Sequence, residues 1–132
     1  VRVGGGRNHR SGLDDAILIK DNHIAIAGSS TQAIRDAKKF AGHLIPIEVE
    51  VDTIEQLKIA LAEGINLVLL DNMSPEILKE AVKLCHGKCL TEASGGITPE
   101  TLKAVAATGV NFIAMGWLTH SVKSLDIGFD FI

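Results

Sequence analysis

The chain has 132 residues, 46% of them hydrophobic, which supports one domain with a substantial core but not two ordinary domains. Its 13 basic and 16 acidic side chains leave a net charge of -3, which excludes a general attraction to nucleic acid or to a membrane surface. No apolar run is long enough to span a bilayer, and VRVGGGRNHR lacks the apolar core of a secretory signal, so the cytoplasm is the expected compartment.

In chain order, the glycine-rich turn GGGRNHRSG comes first, at residues 4–12. Residues 16–19 read as a short apolar strand. A helix follows over residues 29–40, capped by Ser29, Ser30 or Thr31 and ended near Gly42. Residues 46–51 read as a strand, and Thr53 caps a helix to about residue 63, where Gly64 stops it. Residues 66–70 form the next strand. Ser74-Pro75-Glu76 opens a helix through about residue 84, with proline suited to the first turn. Residues 88–92 are strand-like, Thr98-Pro99-Glu100 opens a helix stopped by Gly109, and residues 111–115 form another strand. Residues 127–132 are predicted to be a last strand.

The strands around Ile47, Leu67, Leu90 and Phe112 recur about every 22 residues, the spacing of short βα units that favour a parallel sheet. The predicted class is therefore α/β, either part of a (β/α) barrel or an open doubly wound sheet. A closed eight-unit barrel usually needs about 250 residues. The five or six strands here are thus expected to be an incomplete working unit with an exposed sheet edge. No GxGxxG follows the first strand, and GGGRNH lacks the GK[ST] of a nucleotide-triphosphate loop.

LIKDNH, LDNM, EASGG and AMG each fall at the C-terminal end of a predicted strand, the rim where βα barrels place their chemistry. Glu48 and Glu50 alternate with Ile47, Val49 and Val51, so both glutamates share the face away from the helices. Such placement requires cations or hydrogen-bond donors; Glu48 is expected to partner Lys20, and a purely structural Glu50–Lys20 ion pair is the alternative. Arg10 offers a planar fork and Lys20 a compact charge, both suited to anions, while His9 can hydrogen-bond a carboxylate. Lys20 taken alone also suits a Schiff-base lysine. Ser94, Gly95 and Gly96 precede a helix and Gly116 follows a strand; small residues there let amides converge on an anion. His120 reads equally as a helix-end or core-rim histidine. Cys85 and Cys89, in CHGKC, match neither CxxC nor a complete metal set.

Six strings, GGGRNHR, LIKDNHI, IEVEV, LLDNM, EASGGI and GWLTHS, together resemble the C-terminal barrel of the quinolinate phosphoribosyltransferase family, in that family's order and over nearly the whole chain. The resemblance implies a partial (β/α) barrel of the type II phosphoribosyltransferase kind. It makes residues 1–132 the C-terminal portion of the catalytic domain, with the N-terminal domain and the first barrel elements, including a TRKT-like basic motif, absent. The activity implied is transfer of a phosphoribosyl group from phosphoribosyl pyrophosphate to quinolinate with decarboxylation, in NAD biosynthesis. His9, Arg10 and Lys20 then map onto quinolinate-binding groups. Glu50 and Asp71 map onto residues near Mg2+ and the ribose hydroxyls, and Lys20, Glu50 and Asp71 carry the catalytic roles. Ser94, Gly95, Gly96 and Gly116 map onto phosphate contacts, with His120 close by. A homodimer is implied, in which the partner supplies an arginine to each site. Two other readings stay open: a related phosphoribosyltransferase acting on another base, such as nicotinate, and a non-catalytic anion-binding barrel fragment. The 132-residue chain alone is expected to be inactive.

Overall fold

A computed structural model describes residues 1–131. Five strands, β1 (Ile17–Ile19), β2 (Ile47–Val51), β3 (Leu67–Asp71), β4 (Leu90–Ser94) and β5 (Phe112–Ile113), form one parallel sheet in the order β1-β2-β3-β4-β5. Strictly consecutive order is that of part of a (β/α) barrel; a doubly wound sheet reverses its order at a switch point.

Among the described residues six α-helices accompany the strands: α1 (Asp21–Ala27), α2 (Ser30–Phe40), α3 (Ile54–Ala62), α4 (Pro75–Cys85), α5 (Pro99–Ala106) and α6 (Trp117–His120). Their starts follow the capping signals in the sequence. The Ser29 and Thr53 hydroxyls accept from the Gln32 and Gln56 backbone N–H groups at 3.1 and 3.2 Å, and Ser74 does the same for Ile77 at 3.4 Å. Gln56 Oε1 accepts in return from the Thr53 backbone N–H at 3.2 Å, completing a reciprocal cap.

Strand alternation divides the sheet into two faces. Val49 pairs in register with Val68 and Val68 with Thr91, and all three are buried. With Ile19, Val51, Leu70 and Ala93 they meet the buried helix residues Ile34, Leu57, Leu78 and Ala81 in one apolar core. The next level runs Glu50, Leu69, Glu92, Phe112 and lies on the other face. Leu69 is buried yet stands outside the core cluster, which marks that second face as a separate environment. The segment before β1 reaches this face through His9.

Three expectations need correction. LIKDNH opens a helix ahead of the one expected from residue 29: Lys20 caps α1, and its backbone N–H donates to His23 Nδ1 at 2.9 Å. The strand expected at residues 88–92 is set two residues later, because Lys88 and Cys89 still donate to Cys85 O at the end of α4. Residues 127–131 form no strand; their alternation of Ile127, Phe129 and Phe131 has no neighbouring ladder among the described residues, and a strand needs one. Residue 132 lies outside the described residues.

Candidate active site

Lys20 sits where β1 passes into α1, and Glu50 is the fourth residue of β2. Parallel pairing of β1 and β2 brings them together, with Lys20 Nζ 2.9 Å from Glu50 Oε2. The hydrogen bond to Glu50 raises the Lys20 amine above its ordinary pKa, against a lowering by burial; the charges of Glu50, Asp71 and Asp21 add to the rise. The structure therefore joins the three predicted catalytic residues Lys20, Glu50 and Asp71 in one electrostatic neighbourhood. Asp71, the last residue of β3, accepts from the Asn72 side-chain amide at 2.6 Å.

Glu48 does not partner Lys20. Two residues before Glu50 on the same face, it lies deeper, and its Oε2 is 3.0 Å from His9 Nε2. His9 Nε2 is also 3.8 Å from Glu92 Oε2. Burial, then the charge of Glu48, raises the Glu92 carboxyl above the usual glutamate pKa, while His9 pulls it back. Sequence reading gave Glu92 no role, although EAS places it on the same face as Ser94 and the registers of β2, β3 and β4 set it level with Glu50, two strands away across Leu69. Arg10 goes elsewhere: its Nη1 donates to Ala16 O at 3.3 Å, beside the start of β1 rather than its Lys20 end.

The predicted phosphate turns do converge. Ser94, Gly95, Gly96, Gly116 and His120, with Thr98 ahead of α5, line a cavity of about 290 Å³. Gly95 has φ +93°, and a Cβ there would stand 2.6 Å from Asn72 Cγ and 2.7 Å from the Asn72 backbone nitrogen. The turn after β4 thus closes onto the turn after β3, where Asn72 itself adopts φ 52°. A Cβ on Gly116 would lie 3.2 Å from His120 Cδ2 and Nε2, so glycine lets that ring approach. Gly116 also borders a larger hollow of about 640 Å³ walled by Arg7, His9, Glu92 and Met115, which makes the two spaces neighbours. A third hollow of about 430 Å³ lies at the other end of the strands, near Asn66, Cys89 and Asn111, remote from this rim.

Charged groups and glycine turns gathered at the C-terminal ends of consecutive parallel strands define a domain of the (β/α)-barrel class. The family profile described as quinolinate phosphoribosyl transferase, C-terminal domain, matches residues 1–130, and the chain belongs to that family. A probable nicotinate-nucleotide pyrophosphorylase (carboxylating) of Bacillus subtilis is 54% identical over 130 residues, covering 98% of this chain and 45% of that protein. The nicotinate-nucleotide pyrophosphorylase (carboxylating) of Mycobacterium leprae is 50% identical over 133 residues, covering 98% and 46%. Among solved structures, the nicotinate-nucleotide pyrophosphorylase of Ehrlichia chaffeensis superposes with a TM-score of 0.92 at 40% identity, covering 98% of this chain and 47% of that one. The chain spans less than half the length of these relatives.

Proposed function

We propose that the full-length protein carrying this chain transfers a phosphoribosyl group from phosphoribosyl pyrophosphate to quinolinate and releases carbon dioxide, giving nicotinate mononucleotide and pyrophosphate. The observation that carries this reading is the Lys20–Glu50 pair together with Asp71, which stands in register with Ser94 at the edge of the glycine-lined cradle. Two carboxylates supply the hard oxygen donors that Mg2+ prefers, and Glu50 and Asp71 are the residues that would hold it. Bound there with the substrate, magnesium would neutralise charge on the pyrophosphate leaving group.

The chain's own groups account for the remaining roles. The amides of Gly95 and Gly96 and the start of α5 suit the 5-phosphate. His9 and Lys20 supply hydrogen bonds and positive charge for the two carboxylates of quinolinate, and the Arg10 guanidinium joins them by leaving Ala16 O for the rim when substrate binds. The pyridine nitrogen attacks C1 of the ribose as the bond to pyrophosphate breaks, and positive charge builds on the sugar. Glu50 and Asp71 stabilise that charge electrostatically. The carboxylate beside the alkylated ring nitrogen then leaves as carbon dioxide, its bonding electrons drawn toward the positive nitrogen and a proton taking its place on carbon.

The reading includes a cytoplasmic homodimer whose partner completes each site. Among the described residues no helix is long and apolar enough to cross a membrane. Apolar side chains left exposed, including Phe40, Leu44 and Phe129, suit association with further protein surface. The deciding experiment assays full-length protein for pyrophosphate and carbon dioxide release from quinolinate, with mass in solution measured alongside. Product from nicotinate and none from quinolinate would sink the assignment.

A further inference from the structure

We propose that Asn72 is a positioning residue: it holds the Asp71 carboxylate at a fixed distance from the glycine turn after β4, so that the rim takes the hydroxyls and the 5-phosphate of one ribose together. The inference rests on the phosphoribosyl reading above and adds to it a residue that acts through Asp71 and Gly95 rather than on substrate. Among the described residues Asn72 is the one non-glycine with positive φ, at 52°. Glycine adopts that conformation freely, asparagine at a modest cost and most other residues at a larger one. Residues held in such conformations gather at functional sites. Glycine would meet the conformational need best, so the asparagine side chain has a reason of its own.

Three contacts supply that reason. The Asn72 side-chain Nδ2 donates to Asp71 Oδ2 at 2.6 Å, which fixes the carboxylate plane and leaves Oδ1 for a ribose hydroxyl. The Asn72 backbone N–H donates to Ser94 O at 3.0 Å. The same side chain lies against Gly95, where a Cβ would stand 2.6 Å from Asn72 Cγ. One residue therefore touches both the carboxylate and the phosphate turn, and Asp71 and Ser94 are themselves partners in the β3–β4 register. The furanose ring keeps the hydroxyls and the 5-phosphate of a phosphoribosyl group at a nearly constant separation. A site that holds their two partners at the matching separation orients the sugar before reaction. Of Gly, Asn and Asp, the residues that best tolerate this φ, only Asn carries an amide donor. Aspartate would match its shape but set a second negative charge against Asp71.

The test compares the full-length parent with Asn72→Gly and Asn72→Asp by thermal unfolding, by calorimetric titration with ribose 5-phosphate and with inorganic phosphate, and by steady-state kinetics. Asn72 is exposed, so removing its side chain opens no cavity, and Asn72→Gly should keep a midpoint near the parent's. Inorganic phosphate should bind that variant as it binds the parent, because the backbone link to Ser94 remains. Ribose 5-phosphate binding and kcat/KM for phosphoribosyl pyrophosphate should each fall about tenfold, the order expected for losing a hydrogen bond to a charged group, with KM for quinolinate unchanged. Asn72→Asp should lose at least as much kcat/KM. A merely structural role gives a different pattern, in which the midpoint drops and every ligand weakens with it; that pattern would overturn the proposal. Parent-like kinetics and ribose 5-phosphate binding in both variants would overturn it equally. A parent that makes no product from phosphoribosyl pyrophosphate and quinolinate would refute the phosphoribosyl reading itself, and this proposal with it.

Discussion

Gly95→Ala should be among the most damaging single-methyl additions on the rim. Its φ of +93° is a conformation an alanine adopts at a cost of about 1–2 kcal/mol. The added carbon would also stand 2.7 Å from the Asn72 backbone nitrogen, which cannot rotate away as a side chain could. Forcing a methyl into packed structure costs about 1–3 kcal/mol, for a total of about 2–5 kcal/mol. Gly96→Ala is the internal control. Its φ is +58°, but a Cβ there meets nothing within 4 Å, so only the backbone cost of about 1 kcal/mol applies. Denaturant unfolding of the two full-length variants beside the parent gives the comparison. Adding Asn72→Gly removes the Cγ contact but not the backbone one, so Gly95→Ala should stay harmful in that background. Equal losses from the two alanines would refute the claim that the β3 and β4 turns are locked together by backbone contact.

Leu57→Ala, at a fully buried core position, should lose about 2–5 kcal/mol in the same unfolding assay. Glu50→Gln and Asp71→Asn should lower magnesium-dependent turnover far more than they lower the thermal midpoint; full rate with the parent's magnesium response would remove that residue from the proposed site. Arg10→Ala should cost about 2–5 kcal/mol in kcat/KM for quinolinate, and an unchanged titration would reject the assignment. The Lys20 amine, raised above 10.5 by Glu50, should keep its charge beyond the ordinary lysine range. Its contribution to stability is then complete below pH 10.5 and fades as pH rises through the raised value, so Lys20→Met should lose its stability deficit only in strong alkali. Direct NMR titration of Lys20 at or below 10.5 would contradict the ion pair.

The sequence made the repeating architecture legible because its signals are local. Thr53 with Gln56, Ser74 with Pro75, and the alternation in IEVEV each encode their own element. The pairing of Lys20 with Glu50 was legible only as a possibility; strand alternation puts Glu48 and Glu50 on one face but does not rank their depth. That depth depends on the β1–β2 register, Leu18 with Glu48, which leaves Lys20 one step beyond β1, where it meets Glu50. Glu92 was missed because nothing in EASGG distinguishes it until β3 and β4 are aligned. The helix α1 was missed because DNHIAIA is short and begins with motif residues. The failed strand at residues 127–131 shows the converse: alternation is a local pattern, but a ladder needs a neighbour.

The chain-order pairing of the sheet also sets when the rim can exist during folding. Each ladder joins neighbours in sequence, such as Val49 with Val68, so each closes a loop of similar length and no pairing waits on a distant segment. The charged groups, however, are spread one or two to a unit. A chain stalled with β1 still unpaired would carry the Glu50 carboxylate without the Lys20 ammonium. Chemical competence at this rim therefore appears only after these successive pairings are complete.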